Sequence, residues 1–213
     1  MTRSNRSRGS LSHEAIRSRS LPAAHSGVKF GAVGMVVFLT LSSTPFLWAQ
    51  ATPSVEYRLK AAFLYNFSKF IEWPADAFQS DKAPILLCVF RDDPFGNDLD
   101  EILQGKTVNG REVLARRIYE LRELKSCQLV FVSYREDDHL SEILNSLRGT
   151  SALVVGESDG FAERGGGIQF FLENNKLRFA VNVDAVHKAR LRVSSKLLAL
   201  ARIVHNQPDP KET

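Results

Sequence analysis

Residues that build metal centres and redox sites are scarce in this chain. Its 213 residues include two cysteines, two tryptophans and five histidines. A lone cysteine pair cannot complete a zinc site without histidines at ligand spacing. His13, His25, His139, His187 and His205 are scattered, and none falls in such a motif; no metal and no cofactor are expected. Also missing are a Gly-x-Ser-x-Gly elbow, a His-Glu-x-x-His helix and a Gly-x-x-x-x-Gly-Lys phosphate loop. Gly165-Gly166-Gly167 does not replace the last of these. It precedes a predicted strand, whereas a phosphate loop needs its N–H groups at a helix start. It reads as a flexible entry into an edge strand. The acid pairs have ordinary explanations: Asp92-Asp93 precedes Pro94 in a turn, and Asp137-Asp138 sits where a helix begins and carboxylates favour the dipole. His139, one residue into that helix, and His187, beside Lys188, read as solvent-facing. A general base needs a positioned partner, and no pairing of that kind is visible. No catalytic residue is expected, and the chain does not read as an enzyme.

Positive charge is also scarcer in the folded part than the total suggests. The formal net charge is +4, from 28 Lys/Arg and 24 Asp/Glu. Residues 1–51 hold six of the basic residues and one acid, so the remainder carries 22 basic and 23 acidic residues. Nucleic-acid binding therefore has no electrostatic support. The N-terminal segment has the order of an export signal. A basic, serine-rich stretch leads into the apolar run Phe30–Trp48, "FGAVGMVVFLTLSSTPFLW", and then the small-x-small triplet Ala49-Gln50-Ala51. Gly31, Gly34, Ser42, Ser43 and Pro45 weaken that run as a spanning helix, which needs about 20 apolar residues. Residues 1–51 are read as a signal peptide cleaved after Ala51, 54–205 as one domain, and 206–213 as a flexible tail.

Within the domain, a helix is predicted from an N-cap at Ser54 to about Glu72, since Pro74 disfavours helix at Trp73. Leu59, Phe63, Phe67 and Phe70 recur at helical spacing and predict the core-facing stripe. Asn66 lies beside it, so its amide is expected to be buried and tied to a loop or strand end. Arg58, Tyr65 and Lys69 share another face. "PILLCVF", "CQLVFVS" and "ALVVGE" are short runs apolar on both alternating faces, as in central strands covered on both sides. "DDHLSEILNSL" is amphipathic, with Leu140, Ile143, Leu144 and Leu147 on one face. "GGGIQFFLENNKLRFAVN" contains two alternating runs joined at Asn174-Asn175, an antiparallel hairpin signal. Asn182 can cap the helix that follows. "SSKLLALARIV" predicts a closing helix capped by Ser194. The fold class is α/β: a single-domain sandwich with a mostly parallel sheet, a C-terminal antiparallel hairpin and helices on both faces.

The segments "KAAFLYNFSKFIEWP", "ILLCVF", "GKTVNGREV", "CQLVFV", "GGGIQFF", "LRFAVN" and "LRVSSKLLALARIV" run in order from about Glu56 to Val204. This ordered set, behind an export signal, resembles the YfiR family. The resemblance implies a small periplasmic α/β domain without catalytic activity. It implies repression of an inner-membrane diguanylate cyclase through binding of that enzyme's periplasmic part, which lowers cyclic-di-GMP output. It further implies that an outer-membrane lipoprotein can sequester the repressor. Related domains serve as extracytoplasmic sensor modules of other membrane signalling proteins. Cys88 and Cys127 match positions where family members can carry a disulfide, and an oxidising compartment would permit one. The strand reading places Cys88 late in one strand and Cys127 at the start of another, a poor register for a bridge. A second cysteine pair that some relatives carry near the glycine-rich run is absent here.

The leading expectation is thus a periplasmic regulatory binding protein, with a homodimer as a further assembly. Arg58, Tyr65, Lys69 and Trp73 lie off the predicted core stripe and form the candidate contact group, because Tyr, Trp and Arg are enriched in interface hot spots. The competing reading has Trp73 plugging the helix end and Tyr65 packing on a neighbour. The alternative function is a small-molecule-sensing module. In an open parallel sheet its ligand would sit beyond the carboxyl ends of the strands. Here those ends are Arg91-Asp92-Asp93, Ser133-Tyr134 and Gly156-Glu157-Ser158.

Overall fold

The computed structural model describes residues 53–206; the predicted signal peptide with its Ala49 and Ala51 cleavage motif, and the tail beyond Asn206, lie outside them. Along the chain run α1 (Pro53–Phe70), β1 (Ile71–Glu72), β2 (Ile85–Phe90), α2 (Asp98–Leu103), β3 (Thr107–Val108), β4 (Arg111–Ile118), β5 (Leu129–Val132) and α3 (Leu140–Ser146). Then come β6 (Leu153–Gly156), β7 (Ile168–Glu173), β8 (Lys176–Asn182), α4 (Val183–Lys188), β9 (Arg192–Val193), α5 (Ser195–Leu198) and β10 (Arg202–Val204). Short 3-10 segments cover Ala75–Ala77, Leu121–Ser126 and Tyr134–His139. Eight strands form one sheet in the order β10-β8-β7-β6-β5-β2-β4-β3. All neighbours are parallel except β7–β8 and β3–β4. β1 and β9 form a separate antiparallel pair.

Alternation along the central strands divides the core in two. Leu87, Val89, Leu129, Phe131 and Val155 face α1 and α2, where they meet Leu64, Phe67 and Leu99. Cys88, Phe90, Val130, Val132 and Val154 face the other way and meet Leu124, Leu140, Ile143 and Phe161. Each buried Val, Leu or Phe side chain contributes about 1.5–3 kcal/mol. The apolar runs read from sequence as doubly covered strands are therefore covered as expected. The hairpin also forms as expected: Asn174 and Asn175 take φ of 51° and 57°, the two positive angles of a type I′ turn.

Five local expectations are corrected. Helix α1 starts at Pro53, before the predicted cap, and stops at Phe70. Of the predicted stripe Phe67 is fully buried, but the buried face runs through Ala61, Leu64 and Phe67, and Leu59 is 46% exposed. Phe63 and Phe70 lie at the margin, half-buried, with the Phe63 ring against Phe170 and Phe179. Asn66 is only half-buried; the buried polar residues of this helix are Lys60 and Ser68, and the Ser68 hydroxyl donates to the Tyr65 carbonyl. The closing helix shrinks to one turn, α5, capped by Ser194 as predicted. The chain then extends into β10 beside β8, leaving Leu200 71% exposed. β-branched Ile203 and Val204 favour that extended state, and a backbone partner on β8 secures it. Finally, the glycine run does not enter an edge strand loosely. β7 lies between β6 and β8, and the buried Phe161 ring rests where a Cβ on Gly166 would have to be.

Asn182 performs the predicted capping and more. Its side-chain oxygen accepts from the Asp184 and Ala185 N–H groups at 3.0 Å each, and its amide donates to the Ala162 carbonyl and to Asn206 Oδ1. Gln169, its neighbour on that sheet face, accepts from the Ala162 N–H. Together they fasten the Phe161–Ala162 segment onto the sheet. We expect Asn182→Ala to lose about 3 kcal/mol in urea denaturation, adding a lost cap to an orphaned buried carbonyl. Asn182→Ser, which retains a capping oxygen, should lose about half of that.

Candidate functional site

α1 is held to the sheet by charge as well as by apolar contact. Lys60, 5% exposed, points inward and places Nζ 2.6 Å from Glu157 Oε2 and 2.5 Å from Glu56 Oε1. Glu157 follows β6 at the carboxyl edge of the sheet. It also accepts from the Tyr57 hydroxyl at 3.0 Å and the Tyr134 N–H at 3.1 Å. Burial pushes the Tyr57 phenol well above the ordinary tyrosine range, and the Glu157 charge adds to the shift, since both disfavour a phenolate.

The strand-end segments considered for a ligand do converge, but around side chains rather than a cavity. Arg117 reaches Asp93 at 2.8 Å and Asp100 at 2.6 Å. Arg91 Nη1 lies 2.9 Å from His139 Nε2, and His139 Nδ1 lies 3.2 Å from Glu136. His139 is thus partly buried against Phe90 and not simply solvent-facing. An open groove of about 1160 Å³ lies elsewhere, between α3 and α4, and no residue of the three strand-end segments lines it.

The candidate contact residues divide. Arg58, Tyr65 and Lys69 share the phase of α1 away from its buried face. Arg58 is exposed and pairs with Asp98 at 2.6 Å and Glu101 at 3.3 Å on α2. Lys69 is exposed, with its ammonium 5.4 Å from the Tyr65 ring centroid, and Tyr65 is half-buried. Beside them the helix presents Val55 and Leu59, 58% and 46% exposed. Trp73 lies beyond the helix. Its indole N–H donates to the Gln128 carbonyl at 3.1 Å, and it packs against the α1-side core. Gln128, buried, accepts from the Leu86 N–H and donates to the Ala77 carbonyl. Trp73 therefore closes a seam between β1 and the entry to β5.

Cys88 and Cys127 are bonded, with Cα atoms 6.0 Å apart and both side chains buried. The expected register problem does not arise because Cys127 is not in a strand. It ends the 3-10 segment Leu121–Ser126, two residues before β5, free of the sheet's register.

Sequence reading places Glu157 at a strand end but misses Lys60 and the pair the two form. The one available signal was Glu56–Lys60 at i, i+4, with the lysine falling on the phase that proves buried.

A family model described as YfiR/HmsC-like matches residues 57–202. Among solved structures, a conserved domain protein from Vibrio cholerae O1 biovar El Tor str. N16961 aligns with a TM-score of 0.43 at 8% identity. That alignment covers 57% of this chain and 54% of the other, so the chain spans about half the length of that protein.

Proposed function

The chain belongs to the YfiR/HmsC-like family, whose members are periplasmic regulatory proteins of cyclic-di-GMP signalling, and from that premise we propose that it represses an inner-membrane diguanylate cyclase by binding the cyclase's periplasmic part. Residues 1–51 would direct export and be removed. The family match over residues 57–202 carries the reading. Regulation then needs only differential affinity: a repressor that binds one conformation of the cyclase shifts its population by that difference. An outer-membrane lipoprotein competing for the repressor would relieve inhibition by mass action. The contact surface on this reading is the outer face of α1, with Arg58, Tyr65 and Lys69 beside exposed Val55 and Leu59. Trp73 is assigned to the fold.

The test is crosslinking of the exported protein in cells, followed by recovery from the membrane fraction. Recovery of a cyclase, with higher cyclic-di-GMP in a deletion strain, is the expected result. Tyr65→Ala and Lys69→Glu should each weaken recovery about tenfold, with melting temperatures within about 2 °C of the parent. Trp73→Ala should instead lower the melting temperature. An unchanged nucleotide level, with a folded protein that crosslinks to no membrane protein, would overturn the proposal. It would move attention to the sensing alternative, for which the groove between α3 and α4 is the place to test ligands by thermal shift.

A further inference from the structure

The end of the sheet at β10 is built unlike the rest. Among the described residues no strand pairs with the outer side of β10, so that side presents unpaired N–H and C=O groups. Its two faces differ in chemistry. Register places Arg202 beside Ala180 and Ile203 beside Val181. Arg202 therefore shares a face with Arg178 and Lys176 of β8, and with Phe171 and Glu173 of β7. The Arg202 guanidinium lies 4.0 Å from the Phe171 ring centroid, and Arg178 is 3.6 Å from Glu173. Three cations thus stand against one carboxylate, and all three are exposed. The opposite face carries Ile203, Leu177 and Leu172, with Ile203 and Leu172 44% and 58% exposed.

We propose that β10 is a docking edge for an extended segment of a partner protein whose residues alternate acidic and apolar. The open edge selects a strand, because backbone pairing is the interaction it offers. Alternation follows from the pleat: successive side chains of an added strand fall on opposite faces. One set meets Arg202, with Arg178 one strand further in, and the other meets Ile203, with Leu177 one strand further in. Charge argues against a second copy of this chain. Antiparallel pairing of two β10 strands would set their cationic faces side by side, and like charges across an interface oppose association. The proposal rests on the partner-binding reading above and adds a second contact to it.

The test uses the full-length exported protein and three synthetic peptides: one alternating glutamate and valine, one alternating lysine and valine, and the glutamate peptide with its backbone N-methylated at alternate residues. Binding is read by hydrogen exchange at Arg202, Ile203 and Val204. The glutamate peptide should protect these amides, and the other two should bind about tenfold more weakly. Arg202→Glu should reverse the charge preference, and Ile203→Glu should weaken the glutamate peptide. Equal binding of the lysine peptide, or protection elsewhere, would overturn the proposal. So would a dimer in sedimentation that Ile203→Glu dissolves. None of these outcomes touches cyclase capture by crosslinking, so failure of the edge and failure of the regulatory reading are told apart.

Discussion

Replacing Glu157 by glutamine is expected to destabilise the protein by about 3 kcal/mol, because it leaves a buried ammonium short of its partner. Lys60 is 5% exposed, and the Glu157 side chain is equally buried. Glutamine keeps the acceptor for the Tyr57 hydroxyl and the Tyr134 N–H but removes the charge. Glu56 remains 2.5 Å from Lys60, which puts the cost at the low end of the range for breaking a buried pair. In a domain of this size the melting temperature should fall by about 10 °C. Lys60→Met should cost a similar amount for the opposite reason, since it strands the carboxylate. The double variant Lys60→Met/Glu157→Gln should be more stable than either single one. A buried pair replaced by neutral groups of like volume is often close to neutral. A double-mutant cycle in denaturant measures the coupling directly. Additive losses would show that the two groups do not depend on one another, and that α1 is held by Leu64 and Phe67 alone.

The strands could be read because burial on both faces leaves short unbroken apolar runs, as in "ILLCVF" and "LVFV". The hairpin could be read because Asn174-Asn175 suits its turn chemistry. The face of α1 could not, because apolar periodicity weighs large side chains most. Phe63 and Phe70 dominate that signal yet sit at the margin, while Ala61, Ser68 and Lys60 line the buried side with little apolar weight. The last strand failed for another reason. Leu197 and Leu200 fit a helical period, and pairing with β8 decides the structure from outside the segment. At the candidate site, the shared face of Arg58, Tyr65 and Lys69 follows from 3.6 residues per turn. The Lys60–Glu157 pair joins residues 97 apart, and no local pattern encodes it.

Removing the disulfide should have the largest single effect on stability. Cys88 and Cys127 close a loop of 39 residues in sequence, for which the chain-entropy account gives roughly 4 kcal/mol. Cys88→Ala/Cys127→Ala should therefore unfold at clearly lower denaturant. The slope of the transition should steepen, because an unbridged unfolded chain exposes more surface. The loss should also be uneven. The bridge joins β2 to the 3-10 segment Leu121–Ser126, on the side of the sheet packed by Leu124, Leu140 and Ile143. Hydrogen exchange in that segment and in α3 should quicken most, while α1 on the opposite side stays protected. The same contrast bears on function. With the partner surface on α1, the variant should still capture its partner below its melting temperature. If capture were lost while α1 stayed protected, the contact would have to lie on the disulfide side of the sheet.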